Sequence, residues 1–273
     1  MPELPEVETV KERLKQDVLN EKIKDVKVYY PKMIENVTSK EFINTLIGQS
    51  IVDIKRRGKW LIFELTNNYM LSHLRMEGRY YLKTPKDELE KHEYVCFTFA
   101  SGKELRYKDT RKFGRMFLYP KDDVYTTKEL KDLGLEPFSK DLTVSYLKEK
   151  YKRISLPIKT TLLNQDIIVG IGNIYADEIL FLCGLNPLKK AKDLNDDELA
   201  KIIKYTAKVL KNAIKKGGTT IKTYEVAKNV HGGYQTELLV HTKVNTECPI
   251  CHSIIRKIKV NGRGTYYCPK CQK

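Results

Sequence analysis

Four cysteines near the C-terminus constrain what this 273-residue chain can fold into more than any other feature. Cys248 and Cys251 stand in "CPIC", Cys268 and Cys271 in "CPKC", and sixteen residues lie between the inner pair. Four thiolates at C-x2-C…C-x2-C spacing suit tetrahedral zinc, and with every position filled by protein the single ion would be structural. An iron site or a redox dithiol is the alternative chemistry for such a pattern. Between the pairs, "IIRKIKVNGRGTYY" carries an Asn-Gly hairpin signal, with Val260 and Tyr266 flanking the turn "NGRG". From Lys243 to Lys273 seven basic residues face the single acid Glu247. A charge run is usually a solvated face, but Arg263 at the tip of a metal-braced hairpin is placed to grip phosphate or a groove. The segment therefore reads as a zinc finger for nucleic acid.

Charge points the same way. A formal net charge of +15 and a pI near 9.3 favour a polyanionic partner, nucleic acid ahead of an acidic membrane surface. The apolar runs "IIVGI" and "ILFLCGL" are far shorter than the roughly 18 residues of a spanning helix. The start is acidic and lacks the apolar stretch of a signal peptide, so the cytoplasm is the expected compartment and metal, not disulfides, the expected role of the paired cysteines. Cys96 and Cys183 sit in apolar surroundings and read as ordinary buried thiols.

The strand signals concentrate before about residue 119. "IKDVKVYY", "SIVDIKRR", "KWLIFEL", "YMLSHLRM", "RYYL", "EYVCFTFA", "KELRYKD" and "RMFLY" are short and rich in β-branched and aromatic residues, with turn-prone residues such as Asn67-Asn68 and Ser101-Gly102 between several of them. This predicts a two-layer antiparallel β-sandwich with flanking helices, over residues 1–130. A polar stretch at 131–150 reads as a linker, and helical patterns follow over 151–243: one segment beginning near Pro157, one over Asn173–Cys183 and one over about Asp196–Lys215. Gly184 and Pro187 suit the end of the second. The finger occupies 244–273, and the class is α+β.

At the other end, "MPELPEVETV" opens the chain. Pro5 suits the first turn of a helix, and Val7, Val10 and Leu14 recur as an apolar stripe. Initiator methionine is normally trimmed ahead of a small residue. That would leave Pro2 as a terminal secondary amine close to Glu3 and Glu6, either an accident of translation or a nucleophile with acids beside it. "GIGNIYADE" puts two glycines before a helix with Asn173 as its N-cap, a start whose N–H groups suit phosphate. "KRRGKW", "SHLRMEGRY" and "DTRKFGR" are uninformative singly: the first reads as edge-strand charge, His73 as a satisfied structural histidine, and Met76 and Phe113 as core.

In this order and together, these motifs, closing on "GRGTYYCPKCQ", resemble the bacterial formamidopyrimidine-DNA glycosylase family over the whole chain. The resemblance implies a helix–two-turns–helix module between sandwich and finger, and damaged double-stranded DNA bound in a cleft between domains. It implies a bifunctional glycosylase and abasic-site lyase that excises oxidised purines and cuts by β,δ-elimination, acting as a monomer with one structural zinc ion and no membrane partner. Pro2 would be the nucleophile, Glu3 the principal acid and Glu6 its orienting partner, with Lys59 and Arg263 also in the catalytic set. His73, Asn173 and Arg263 would contact phosphates, while Met76, Arg111 and Phe113 would fill and probe the gap left by the extruded nucleotide. Glu77, Thr219, Thr220 and Tyr224 would line the lesion pocket. Residues 219–248 follow the family pattern more loosely, with an altered approach to Cys248, so lesion preference is less determined than reaction type. Two competing readings are an endonuclease VIII-like enzyme for oxidised pyrimidines and a non-catalytic zinc-finger DNA-binding protein. The second leaves Pro2, Glu3 and Glu6 without a task.

Overall fold

The computed structural model describes residues 2–122, 124–219 and 232–273, and the chain divides into two compact units. The first comprises Met1–Lys131 with Thr219–Gly232; the second comprises Asp132–Gly218 with Gly233–Lys273.

In the first unit, helix α1 (Leu4–Val18) starts at once behind the terminus because Pro5 fits its first turn, where no N–H is needed. Its stripe of Leu4, Val7, Val10, Leu14 and Val18 is buried. Two four-stranded antiparallel sheets follow. One has the order β1 (Ile23–Val28), β6 (Glu93–Phe99), β7 (Glu104–Lys108), β5 (Arg79–Lys83); the other runs β2 (Ile51–Arg57), β3 (Trp60–Leu65), β4 (Asn68–His73), β8 (Arg115–Pro120). The core between them takes alternate residues of each strand, among them Ile54, Leu61, Phe63, Val95, Phe97, Phe99, Leu105 and Met116, together with the apolar face of α1. Helix α2 (Ser39–Leu46), capped by Thr38 Oγ1 on the Glu41 N–H at 3.1 Å, adds Phe42 and Leu46 to this core. It falls inside the stretch where strand signals dominate the sequence.

The second unit is helical. Residues 131–150, expected as a linker, are largely structured: Leu135 bridges to Ile168, and α3 (Val144–Tyr151) buries Leu147 and Tyr151. The polar composition there belongs to a helix exposed on one side. Helices α4 (Ile158–Leu162), α5 (Asn173–Cys183) and α6 (Asp196–Lys215) follow. Gly184 ends α5 in the left-handed conformation, φ 70°, as a residue without Cβ does at least cost. The hairpin β9 (Arg256–Val260) and β10 (Arg263–Tyr267) completes the chain. Its turn is tighter than "NGRG" suggests. Val260 pairs with Arg263 across the two residues Asn261 (φ 43°) and Gly262 (φ 79°), the positive pair that a type I′ turn requires.

Candidate active site and nucleic-acid interface

Pro2 is buried directly ahead of α1, and Glu3 and Glu6 are each 2% exposed. Glu3 is the N-cap and Glu6 the third helical residue, a spacing that lets Glu6 Oε2 accept the Glu3 N–H at 2.8 Å. The other oxygen of Glu6 accepts from Thr219, the N–H at 2.8 Å and Oγ1 at 3.1 Å. One carboxylate thus joins the terminus to a residue 213 positions away. Both of its oxygens act as acceptors, which suits a holding group. Thr220 and Tyr224 lie outside the described residues.

Lys59 occupies a two-residue turn between β2 and β3, where Arg57 pairs with Trp60 and Gly58 supplies the positive φ of 56°. It is 7% exposed. The basic run before it is not mere edge charge. Lys55 pairs with Glu64 at 2.6 Å, and Arg56 Nε meets Glu8 of α1 at 2.6 Å while its Nη1 donates to the Gly58 carbonyl at 3.0 Å. The Arg56 guanidinium therefore ties the helix carrying Glu3 and Glu6 to the turn carrying Lys59. No sequence signal marks it, because its partners come from α1 and from its own turn.

His73 ends β4 opposite both Trp60 and Arg115. Its Nδ1 accepts the Arg75 N–H at 3.0 Å, and its ring meets the Trp60 ring edge-on at 4.6 Å. Burial, then the nearby charges of Arg75 and Lys59, lower its pKa to about 3. With Nδ1 accepting, the neutral imidazole carries its proton on Nε2, a donor suited to phosphate without a titrating charge. A stability consequence follows. The unfolded imidazole takes a proton near pH 6.5 and the folded one does not until about 3, so this contribution is complete above 6.5 and is lost as pH falls toward 3. Between pH 7 and 5 the first unit should lose about 2 kcal/mol by this route. His73→Asn, which can keep the acceptor for Arg75, should lack that increment in urea unfolding. Equal pH dependence in the two proteins would refute it.

Two loops carry the expected gap-filling residues. Met76 lies on the β4–β5 loop, Arg111 and Phe113 on the β7–β8 loop, and Met76 and Phe113 share one groove with Arg75 and Arg115. Phe113 is 46% exposed, so it is no core residue, and the Arg111 guanidinium lies 4.8 Å from its ring centre. Buried Asp109 shapes the second loop, accepting the Arg111 N–H at 3.0 Å and the Gly114 N–H at 2.7 Å. The Tyr107 hydroxyl packs against both Gly78 and Gly114, where any β-carbon would overlap it. Glu77 bonds Thr110, joining the loops a second time, and faces a separate groove with Arg79, Tyr81 and Lys108.

In the second unit Gly172, in extended conformation, is the N-cap of α5, and Asn173 is its first helical residue. The Asn173 side chain is thus released from capping, and its Nδ2 donates to the Gly264 carbonyl at 3.0 Å, beside Arg263. The structure brings these two expected DNA contacts together. The four cysteine sulfurs lie within 4.8 Å of one another, Cys248 and Cys271 at 3.8 Å and Cys251 and Cys268 at 3.4 Å. A zinc–sulfur distance of about 2.3 Å implies tetrahedral edges of about 3.8 Å, so the set fits one zinc ion. Gln272, which the motif reading passes over, accepts the Cys268 N–H at 2.8 Å and donates to Leu185 beyond α5 at 2.9 Å.

A β-sandwich whose buried acids lie behind Pro2, with a helical unit and a four-cysteine finger, leaves a short choice of families. Family comparison narrows it. Residues 1–116 match the formamidopyrimidine-DNA glycosylase N-terminal domain, 133–225 the H2TH domain of the same enzymes, and 247–273 the zinc finger found in FPG and IleRS. The formamidopyrimidine-DNA glycosylase of Shouchella clausii is 47% identical over 273 residues, covering 100% of this chain and 99% of that one. The wild-type Lactococcus lactis Fpg in complex with DNA containing N7-benzyl-Fapy-dG superposes with a TM-score of 0.93 at 38% identity, covering 100% of both chains. The same protein with abasic-site DNA gives 0.94 at 39%, covering 99% of each. The chain belongs to the formamidopyrimidine-DNA glycosylase family.

Proposed function

We propose that this protein excises oxidised purines from damaged double-stranded DNA and cuts the strand at the resulting abasic site, using Pro2 as its covalent nucleophile. The observation that carries this reading is the Glu3–Glu6–Thr219 arrangement at the terminus, a buried carboxylate pair built on the chain's first residues. A base inside a duplex hides its glycosidic carbon, so the nucleotide must be flipped out at a cost of a few kcal/mol. Met76 and Phe113 enter the gap as apolar wedges, and Arg111 hydrogen-bonds the orphaned base. Lys59 serves the DNA and lesion site, His73, Asn173 and Arg263 hold phosphates, and Glu77, Thr219, Thr220 and Tyr224 line the lesion pocket.

With Met1 removed, the lone pair of the Pro2 nitrogen adds to C1′ as the bond from C1′ to the base breaks and the base leaves with a proton. Opening of the sugar ring gives the iminium, with Glu3 supplying and removing protons while Glu6 holds the backbone around it. The iminium acidifies the C2′ proton. Its loss expels the 3′ phosphate, and a second elimination expels the 5′ phosphate. Zinc supplies no step; it fixes the hairpin that carries Arg263. The protein is read as a monomer of the cytoplasm. Duplexes containing 8-oxoguanine or thymine glycol distinguish this from an endonuclease VIII-like enzyme. The expected kcat/KM favours 8-oxoguanine by at least about tenfold, a difference of about 1.4 kcal/mol in transition-state binding. Preference for thymine glycol would overturn the purine reading, and absence of cleavage on either would favour a binding protein.

A further inference from the structure

Three buried ionisable side chains of the second unit form a chain that the proposed reaction does not use. Lys159 on α4 and Asp177 on α5 have fully buried side chains, and His241 is 7% exposed. Lys159 Nζ donates to the Asn173 carbonyl at 2.7 Å and to Asp177 Oδ1 at 2.5 Å. The other carboxylate oxygen of Asp177 meets His241 Nδ1 at 2.6 Å, and since a carboxylate only accepts, Nδ1 carries the proton. The His241 ring then packs edge-on against Tyr266 of β10, centroids 4.9 Å apart. Beside this chain Glu178 accepts the backbone N–H groups of Leu239, Val240 and His241 at 2.8, 3.0 and 2.8 Å. Successive acids on α5 therefore fix the segment 239–241 twice, one through a side chain and one through the backbone. This segment lies in the altered approach to Cys248.

The two ends of this chain of contacts lie beside the two expected DNA contacts. At one end, Lys159 bonds the carbonyl of Asn173; at the other, Tyr266 lies on the strand that Arg263 begins. Asn173 and Gly264 also bond directly, so the start of α5 and the hairpin are joined by two routes. We propose that His241 is a positioning residue that transmits the orientation of α5 to the zinc-finger hairpin, holding Arg263 in register with Asn173 so that both engage one stretch of DNA backbone. The part concerning DNA rests on the reading of Asn173 and Arg263 given above; the part concerning the hairpin stands on the contacts alone.

Two substitutions separate hydrogen bond from packing. His241→Phe keeps a ring against Tyr266 but removes the donor to Asp177; His241→Asn keeps a donor near the Nδ1 position. In the zinc-loaded, full-length protein, each variant should retain its zinc yet speed amide hydrogen exchange across β9–β10, His241→Phe by about tenfold through loss of the Asp177 bond and His241→Asn through loss of the ring against Tyr266, because the route needs both links. Affinity for a lesion duplex should fall about tenfold, with the salt slope reduced by about one as the Arg263 phosphate contact loosens. Added to Arg263→Ala, His241→Phe should cause little further loss, because both act through one contact. Unchanged hairpin exchange, loss of zinc in His241→Phe, or losses that add in full would overturn the positioning role. If exchange rises as expected but Arg263→Ala itself binds normally with an unchanged slope, the DNA reading of Arg263 fails while the orienting role of His241 in the hairpin is upheld.

Discussion

With one residue added ahead of Pro2, so that its nitrogen stays an amide, the protein is expected to bind lesion duplexes but neither cut nor cross-link them. An amide nitrogen has no basic lone pair to offer C1′. A Pro2 amine freed by loss of Met1 would have one, since α-amines have a reference pKa of about 7.7–8.0 and an appreciable neutral fraction exists near neutral pH. Strand cleavage should fall by at least about a thousandfold, the scale on which loss of a covalent nucleophile is felt. Borohydride added during turnover of an 8-oxoguanine duplex should trap wild-type protein on DNA, with peptide mapping placing the adduct on Pro2. Pro2→Gly is a poor control because it keeps a terminal amine. Undiminished trapping by the extended protein, or an adduct on Lys59, would reassign the nucleophile.

The second large effect concerns the metal. Zinc binding at four-thiolate sites is worth roughly 10–16 kcal/mol in peptide models, enough to decide whether a short hairpin folds. Cys268 is fully buried, and its N–H is held by Gln272, which in turn holds Leu185. Cys268→Ser should therefore abolish zinc binding, expose the β9–β10 amides to exchange and release the C-terminal clamp together. Duplex affinity should fall, with a smaller salt slope, as Arg263 and the neighbouring basic residues lose their places. The first unit has its own core and should keep its own unfolding transition. Full duplex affinity in the zinc-free protein would count against the finger as a DNA contact.

Local pattern made much of this architecture legible. Every strand of the sandwich lies where short β-branched and aromatic runs predict it, and α5 and α6 match their expected spans because apolar periodicity and end signals agree there. Helix α2 escapes notice because eight residues of "SKEFINTL" give little over two turns of periodicity among strong strand signals. Asn173 is misplaced by one position, since glycine and asparagine both serve as N-caps and stand side by side here. The residues that hold the site together were mostly illegible. Glu6 to Thr219, Arg56 to Glu8 and Asp177 to His241 are contacts across 213, 48 and 64 positions, and no local rule pairs them. The motif residues are legible without structure because they stand in short runs of fixed local spacing; their supports are defined only by the fold.

The Tyr107 hydroxyl, set between Gly78 and Gly114, limits which substitutions the two loops tolerate. Met76, Arg111 and Phe113 form the tips of the two loops, whereas Gly78, Tyr107, Asp109 and Gly114 fix where the loops sit. A tip residue can be replaced without a collision at the seat. The seat cannot, because enlarging either glycine collides with a tyrosine that also supports the other loop. A substitution at the seat would therefore disturb both loops together, so their spacing behaves as a single unit.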